Sequence, residues 1–240
     1  MKSIIALLLM GFITANATAQ QKVVVNDANA QQRTVSGFTE ISVSGGIDLY
    51  LSPDNKETVV VSASEERYRD RIVTRVVNNR LEIYFDNKRL SWKWPSNMKL
   101  KAYVSFKTLN KLKASGASDV YVNGIIKAES LQIEVSGASD FNGAVDVSEL
   151  AIDQSGSSDA RVSGRAEKLT VEVSGASDMK GYDLQVNYCE AHASGSSDIQ
   201  ITVNKELSAR ASGSSDIYYR GSGLIREIKT SGSSSVSKKG

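Results

Sequence analysis

The 240-residue sequence has very little of several features that would indicate a particular class of protein. It contains one cysteine, so no internal disulfide can form. Its 29 lysines and arginines nearly balance its 27 acidic residues, which argues against nucleic acid or an anionic membrane as the main partner. Zinc-ligand spacing, a phosphate-binding loop and a dinucleotide fingerprint are all missing. The sequence therefore predicts no cofactor and no metal site.

No apolar run is long enough to cross a membrane either. Residues 4–13 are apolar, but they are too few to span a bilayer. Lys2 precedes them and Ala17-Thr18-Ala19 follows, so residues 1–19 have the pattern of a secretory signal with cleavage before Gln20. Because no cysteine stands at that point, we expect export to the periplasm, the outer surface or the medium, and not as a lipoprotein.

What the sequence does contain is one five-residue phrase, repeated seven times. Ser-Gly-Ala/Ser-Ser-Asp occurs six times, and a seventh copy ends in Ser235 instead of aspartate. The copies begin at Ser115, Ser136, Ser155, Ser174, Ser194, Ser212 and Ser231. A repeat of this length is typical of a stacked solenoid, in which each unit buries its apolar face against its neighbours.

The residues around each phrase alternate between apolar and polar, as strands do. Leu131, Ile133 and Val135 alternate with polar residues before one copy, and an apolar residue follows the fifth position of every copy. No unit contains a helical pattern. The sequence therefore predicts an all-β fold, in which residues 109–240 form a right-handed parallel β-helix (β-solenoid) with coils of about 19–20 residues.

The aspartates of the phrase should form a column along the solenoid: Asp119, Asp140, Asp159, Asp178, Asp198 and Asp216. Carboxylates about 5 Å apart repel each other by nearly 1 kcal/mol in water. We expect each to face solvent and accept hydrogen bonds from turn amides, with mid-stack Asp159 contributing more stability than Asp216 near the end. A ladder of divalent cations is the alternative, although one aspartate per coil supplies few of the oxygens that calcium prefers.

The single histidine and the single cysteine both belong to the repeat. His192 lies in an outward column between Glu172 and Arg210, and Cys189 holds an inward position that is leucine in other coils. We interpret His192 as a member of a solvated ladder and Cys189 as a small buried residue. The recurring acids are equivalent and no Gly-x-Ser-x-Gly elbow is present, so the sequence indicates no catalytic residue.

Residues 20–108 form a more irregular β region ahead of the repeat. The stretch 41–51 follows the pattern of a repeat unit and is interpreted as a degenerate early coil; the remainder either continues the solenoid or forms a separate β-domain. Both tryptophans, Trp92 and Trp94, stand here among basic residues. They are the first candidates for ligand contact and Tyr218 is the second, although the tryptophans could instead cap the apolar core.

Several features together resemble a known family. Val35-Ser-Gly-Phe38 followed by Ile41 and Val43, a strand such as Leu81-Glu-Ile83, and the repeated phrase are similar to the head GIN domain proteins, a Bacteroidetes family labelled auto-transporter adhesins. The resemblance covers most of the chain after residue 20. It implies an exported β-helical protein of no established biochemical role.

These observations favour a non-enzymatic exported protein that binds a glycan or a surface protein, through the flat side of the rod or through Trp92 and Trp94. A polysaccharide-degrading β-helix enzyme and a purely structural spacer of the envelope are the alternatives. An exposed aromatic shelf would favour binding, whereas a deep groove with two unequal carboxylates would favour the enzyme.

Overall fold

The computed structural model describes residues 27–88 and 98–240, and these are almost entirely β-strand. The first seven strands are β1 (Gln31–Arg33), β2 (Glu40–Ser44), β3 (Ile47–Pro53), β4 (Thr58–Ala63), β5 (Ile72–Val77), β6 (Arg80–Phe85) and β7 (Leu100–Phe106). The strands of the repeat are β8 (Lys111–Ser115), β9 (Val120–Gly137), β10 (Phe141–Gly156), β11 (Asp159–Val173), β12 (Asp178–Ala193), β13 (Asp198–Gly213), β14 (Asp216–Arg220), β15 (Leu224–Gly232) and β16 (Ser235–Lys238). A short helix, α1 (Glu66–Arg69), follows β4. No helix in the described ranges has the length and apolar character needed to span a bilayer. The predicted signal, residues 1–19, lies outside these ranges.

Successive repeats pair in parallel and in register. Leu131, Leu150 and Leu169 lie directly above one another, and Cys189 and Leu207 continue the same inward column. Because side chains alternate with a period of two, this register keeps the same set of side chains inward in these columns. The register shifts at local irregularities, such as the one between Arg161 and Gly164. The predicted β-solenoid is confirmed, with about seven turns. Cys189 is buried as expected, and its burial raises the pKa of the thiol above the ordinary value.

The parallel stack continues into the residues before the repeat. β2 pairs with β8 and β3 with β9, which places Ser44 on Ser115 and Leu49 on Val120. β6 and β7 stack in parallel on β2 and β3. The far edges of β6 and β7 are covered by β5 and β4, which run antiparallel to them. The stretch 41–51 therefore stacks in parallel on the first strands of the repeat.

Glycine at the corner of each coil allows the coils to approach closely. The seven glycines of the phrase have φ between 78° and 90°, in the left-handed region that favours glycine. A Cβ added to Gly175 would lie 2.5 Å from the carbonyl oxygen of Gly156 in the previous coil, and a Cβ on Gly156 would meet Gly137 in the same way. Each corner glycine thus packs directly on the glycine below it.

The fourth residue of each phrase is a serine, and six of these serines have no exposed surface: Ser118, Ser139, Ser158, Ser177, Ser197 and Ser215. Their hydroxyls bond to polar groups of the corner. The Ser118 N–H donates to Ser139 Oγ at 3.0 Å, and Ser215 Oγ donates to the carbonyl of Ser212 at 2.8 Å. A buried donor or acceptor without such a partner would cost about 1–3 kcal/mol. The burial of this serine was not predicted from the sequence.

The last coil leaves part of the apolar column uncovered. Ile225 and Ile228 continue the inward column of Leu207 and Ala209, yet they are 41% and 43% exposed. Leu224 beside them is 74% exposed. In the described part of the chain, apolar residues are therefore most exposed at this end of the stack.

We expect Gly175→Ala to destabilise the protein more than Gly37→Ala. Both glycines have φ close to +80°, so either alanine costs about 1–2 kcal/mol in backbone strain. At Gly175 the new Cβ would also collide with the neighbouring coil, which adds about 1–3 kcal/mol. Around Gly37 nothing lies within 4 Å of the added atom. Urea unfolding of both variants measures the difference in unfolding free energy. Equal losses of unfolding free energy would show that neighbouring corners can move apart without loss of stability.

Candidate ligand-binding face

One outward row of side chains combines aromatic, amide and basic groups on the strand that follows each corner. The register places Tyr50 between Tyr103 and Tyr121, and the row continues through the repeat to Tyr218. We call it the tyrosine row; its members in order are Tyr103, Tyr50, Tyr121, Asn142, Arg161, Lys180, Gln200 and Tyr218. With coils about 4.8 Å apart, the row is about 34 Å long.

Three tyrosine rings stack at one end of this row. The centre of the Tyr50 ring lies 5.0 Å from that of Tyr103 and 5.4 Å from that of Tyr121, with the planes within 21° of parallel. Stacked rings cover each other's faces and show mainly their edges and hydroxyls. Tyr121 ends the ladder, is 40% exposed, and has Asn142 as its next neighbour in the row. Tyr121 therefore faces an amide side chain instead of another ring on this side, and it is the most exposed of the three tyrosines.

Acidic side chains hold the tyrosine hydroxyls at both ends of the row. The Tyr103 hydroxyl donates to Asp27, and the Tyr218 hydroxyl donates to Asp216, each at 2.8 Å. Burial and then the bond to Asp27 raise the pKa of Tyr103, while the bond to Asp216 raises the pKa of Tyr218 to about 12. Both phenols are therefore neutral donors at physiological pH. Lys239 Nζ lies 4.4 Å from the centre of the Tyr218 ring, so this ring already contacts a cation.

Of the three contact residues singled out from the sequence, the structure describes Tyr218 and places it in the tyrosine row. Trp92 and Trp94 lie outside the described residues. The other tyrosines of the row were not predicted, although a signal for two of them was present. Tyr50 and Tyr121 each follow a corner aspartate by two positions with an apolar residue between, as Tyr218 does.

The predicted aspartate column lies at the corner, beside the tyrosine row. Four of its carboxylates accept a hydrogen bond from the backbone N–H of the equivalent residue one coil further along, at 3.0–3.2 Å: Asp119, Asp140, Asp198 and Asp216. These are the turn-amide bonds expected for the column. Within the described ranges no group of three or more His, Cys, Asp or Glu side chains could hold a metal ion.

Asp159 and Asp178 differ from the other members of the column. The N–H one coil above Asp159 belongs to Asp178, and it donates to the carbonyl of Ser158 instead. Asp159 forms an ion pair with Lys180, with 3.5 Å between Lys180 Nζ and Asp159 Oδ2. The Asp178 carboxylate has no hydrogen bond or ion pair with any residue that the structure describes. The role of an aspartate thus depends on its own coil, and the expected advantage of mid-stack Asp159 over Asp216 is not supported.

The structure adds Asp48 to this column. Leu49 is the register partner of Val120, so Asp48 lies next to Asp119 in the column. On the other side, the register partner of Asp48 is Lys101. Burial, followed by the charge of Asp119, raises the pKa of Asp48 above its ordinary value. At neutral pH this ionised carboxylate therefore costs folding free energy.

A second surface is an open groove of about 610 Å³ on the strands that precede the corners. It is lined by the charged column in which His192 lies between Glu172 and Arg210, as predicted. Its basic end is neutralised within the protein, because Glu227 pairs with Arg210 at 3.0 Å and with Lys229 at 2.6 Å. Its acids follow the coil period, so the described groove does not combine carboxylates in unlike environments as glycosidases do.

The stacked parallel coils and their outward rows define a β-solenoid protein with long, regular side faces. The chain belongs to the family described as "Putative auto-transporter adhesin, head GIN domain", which matches residues 37–223. This confirms the resemblance seen in the repeated phrase.

Three solved structures share the fold. A "putative adhesin" from Bacteroides fragilis NCTC 9343 has a TM-score of 0.80 and 21% identity, covering 88% of this chain and 96% of that one. A "putative lipid binding protein" from Parabacteroides distasonis ATCC 8503 has a TM-score of 0.68 and 21% identity, with coverage of 88% and 96%. A "putative adhesin" from Parabacteroides merdae ATCC 43184 has a TM-score of 0.63 and 17% identity, with coverage of 88% and 95%. No curated protein matches the chain.

Asp140→Ala should lower the melting temperature more than Asp178→Ala. Asp140 Oδ1 accepts the Asp159 N–H at 3.0 Å, and losing such a bond costs about 0.5–1.5 kcal/mol. Removing the Asp178 carboxylate, which sits between two other aspartates, relieves repulsion. Calorimetry with calcium and with a chelator should give the same values for each protein. Strong stabilisation by millimolar calcium, lost in both variants, would instead establish a cation ladder.

Asp48→Asn should stabilise the protein at neutral pH but not at acidic pH. Since the folded-state pKa of Asp48 is raised, its ionised form costs stability above that pKa, and the cost disappears as the pH falls below the unfolded value of about 3.9. Unfolding free energies of both proteins at neutral pH and at about pH 3 test this. A difference that does not change with pH would assign the effect to hydrogen bonding instead of ionisation.

Proposed function

We propose that this protein is an exported, non-enzymatic binding protein that contacts a glycan or a protein partner through its tyrosine row. The observation that carries the proposal is the exposed Tyr121 ring at the end of the tyrosine ladder, beside Asn142 and with Arg161 one coil further. An aromatic face next to amide and basic donors suits sugars, because their apolar ring faces can stack while their hydroxyls form hydrogen bonds. The row also extends over many coils, which suits an extended polymer.

A binding role agrees better with the described residues than catalysis does. Carbohydrate-cleaving sites combine two carboxylates in different environments. Here the acids of the open groove recur once per coil, and Glu172 and Arg210 remain on an exposed face. Neither the groove nor the tyrosine row brings together an acid and a base within a closed site.

The proposed location rests on two observations. Residues 1–19 have the pattern of a secretory signal, and the family is described as an adhesin family. Both support a position in the periplasm or at the cell surface. We do not expect a lipid anchor, because no cysteine stands at the predicted cleavage point.

Binding of the mature chain to a panel of immobilised polysaccharides tests the proposal. Tyr121→Ala should weaken binding by about tenfold, since it removes the open ring. Tyr188→Ala is the matched control, because Tyr188 is also exposed, lies outside the tyrosine row and has Lys205 over its ring. The control should bind as the unmodified protein does.

Three results would contradict this assignment. Equal loss in both tyrosine variants would show that the row is not the contact surface. Loss only in a Trp92→Ala/Trp94→Ala variant would place the contact on those tryptophans. Release of reducing ends from any polysaccharide by the purified protein would establish an enzyme.

A further inference from the structure

Two basic side chains, Arg161 and Lys180, are neighbours near the middle of the tyrosine row. They are register partners in β11 and β12, so their strands are about 4.8 Å apart. Like charges directly opposite each other on neighbouring strands are destabilising. Repulsion between the two side chains therefore lowers the stability of the protein, and a bound anion would remove this repulsion.

The protein itself neutralises this pair only in part. Lys180 has one ion pair, at 3.5 Å to Asp159. Arg161 is exposed, and its guanidinium has no hydrogen bond, ion pair or ring contact with any described residue. Every other arginine in residues 27–88 and 98–240 has such a partner. In the larger groove, by contrast, Arg210 is held by Glu227.

A concavity of about 370 Å³ surrounds the two cations. The amides of Asn142 and Gln200 flank them along the row, and Tyr182 forms part of the lining. The guanidinium of Arg220 lies 4.0 Å from the centre of the Tyr182 ring and adds positive charge at the rim. Asp183 also lines the concavity, so its net positive charge is modest.

We propose that this concavity binds the carboxylate of an acidic polysaccharide, such as a chain of uronic acid sugars, with Arg161 and Lys180 as its ligands. The inference rests on the proposed function, because it places the same sugar chain along the same row. The planar guanidinium presents paired N–H donors that match the two oxygens of a carboxylate. The flanking amides of Asn142 and Gln200 are placed to bond with sugar hydroxyls.

The distribution of charge selects this class of ligand over denser polyanions. Asp159 and Asp183 lie beside the basic pair, and they would repel a ligand with a much denser charge, such as double-stranded DNA with one charge per ~1.7 Å. A uronic acid chain carries a single charge on each sugar. The ring faces of the neighbouring sugars would reach Tyr121 along the row.

The probe is polygalacturonate, compared with the same polymer after reduction of its carboxyl groups to alcohols. Titration is done in the presence of a chelator, at low and at moderate salt. We expect the unmodified protein to bind the acidic polymer more tightly than the reduced one, and Arg161→Gln to lose about tenfold in affinity for the acidic polymer only. Arg226→Gln is the matched control, since Arg226 is exposed on another strand, 3.7 Å from Glu206. The salt dependence should be weaker for Arg161→Gln than for the control.

The outcomes separate this inference from the proposed function. If the acidic and reduced polymers bind equally and Tyr121→Ala weakens both, the binding function holds and the carboxylate site is wrong. If both arginine variants lose affinity equally, or poly-L-glutamate binds as tightly as polygalacturonate, attraction is not specific to a sugar acid and the inference is overturned. If the protein binds no polysaccharide, both are contradicted. Arg161→Gln should unfold at the same temperature as the unmodified protein or higher, because it removes repulsion from Lys180.

Discussion

Backbone contact between the corner glycines determines how the rest of this protein is arranged. From Gly137 onward, the glycine of each phrase approaches the carbonyl oxygen of the glycine below so closely that a Cβ would not fit. Once this contact is made, every other position of the coil falls into a defined column. The interior adjusts to the same spacing: an added Cβ on Gly143 would lie 2.8 Å from Cζ of Phe141, so the small residue makes room for the large one.

The register that packs the core also creates repulsion on the outside. Because equivalent positions stack on one another, carboxylates lie beside carboxylates at the corners, and Arg161 lies beside Lys180 on the flat face. The protein compensates for most of this with local bonds, such as the Asp159 N–H that donates to Asp140. At Arg161, where no such bond forms, the outer surface keeps a positive charge that does not stabilise the fold.

The repeat alone was enough to predict which residues of the solenoid share a column. His192 lies between Glu172 and Arg210, and the cysteine lies in the leucine column, because equal spacing brings equivalent positions together. Tyr103 could not be placed in the tyrosine row in this way, since it belongs to β7, which comes from a coil without the phrase. Burial of the corner serines was also missed, because it depends in part on bonds between coils, such as the Ser118 N–H that donates to Ser139 Oγ.

Whole coils are the unit in which this architecture can change length. A duplication or deletion of one complete unit between Tyr121 and Tyr218 would leave every side chain facing the same way and would move the two ends by about 4.8 Å. Such a change alters the length of the outer face and leaves the packing of the core unchanged. Relatives with more or fewer units would accordingly present side faces of different lengths at the same spacing between coils, and gene rearrangement alone is enough to supply that variety.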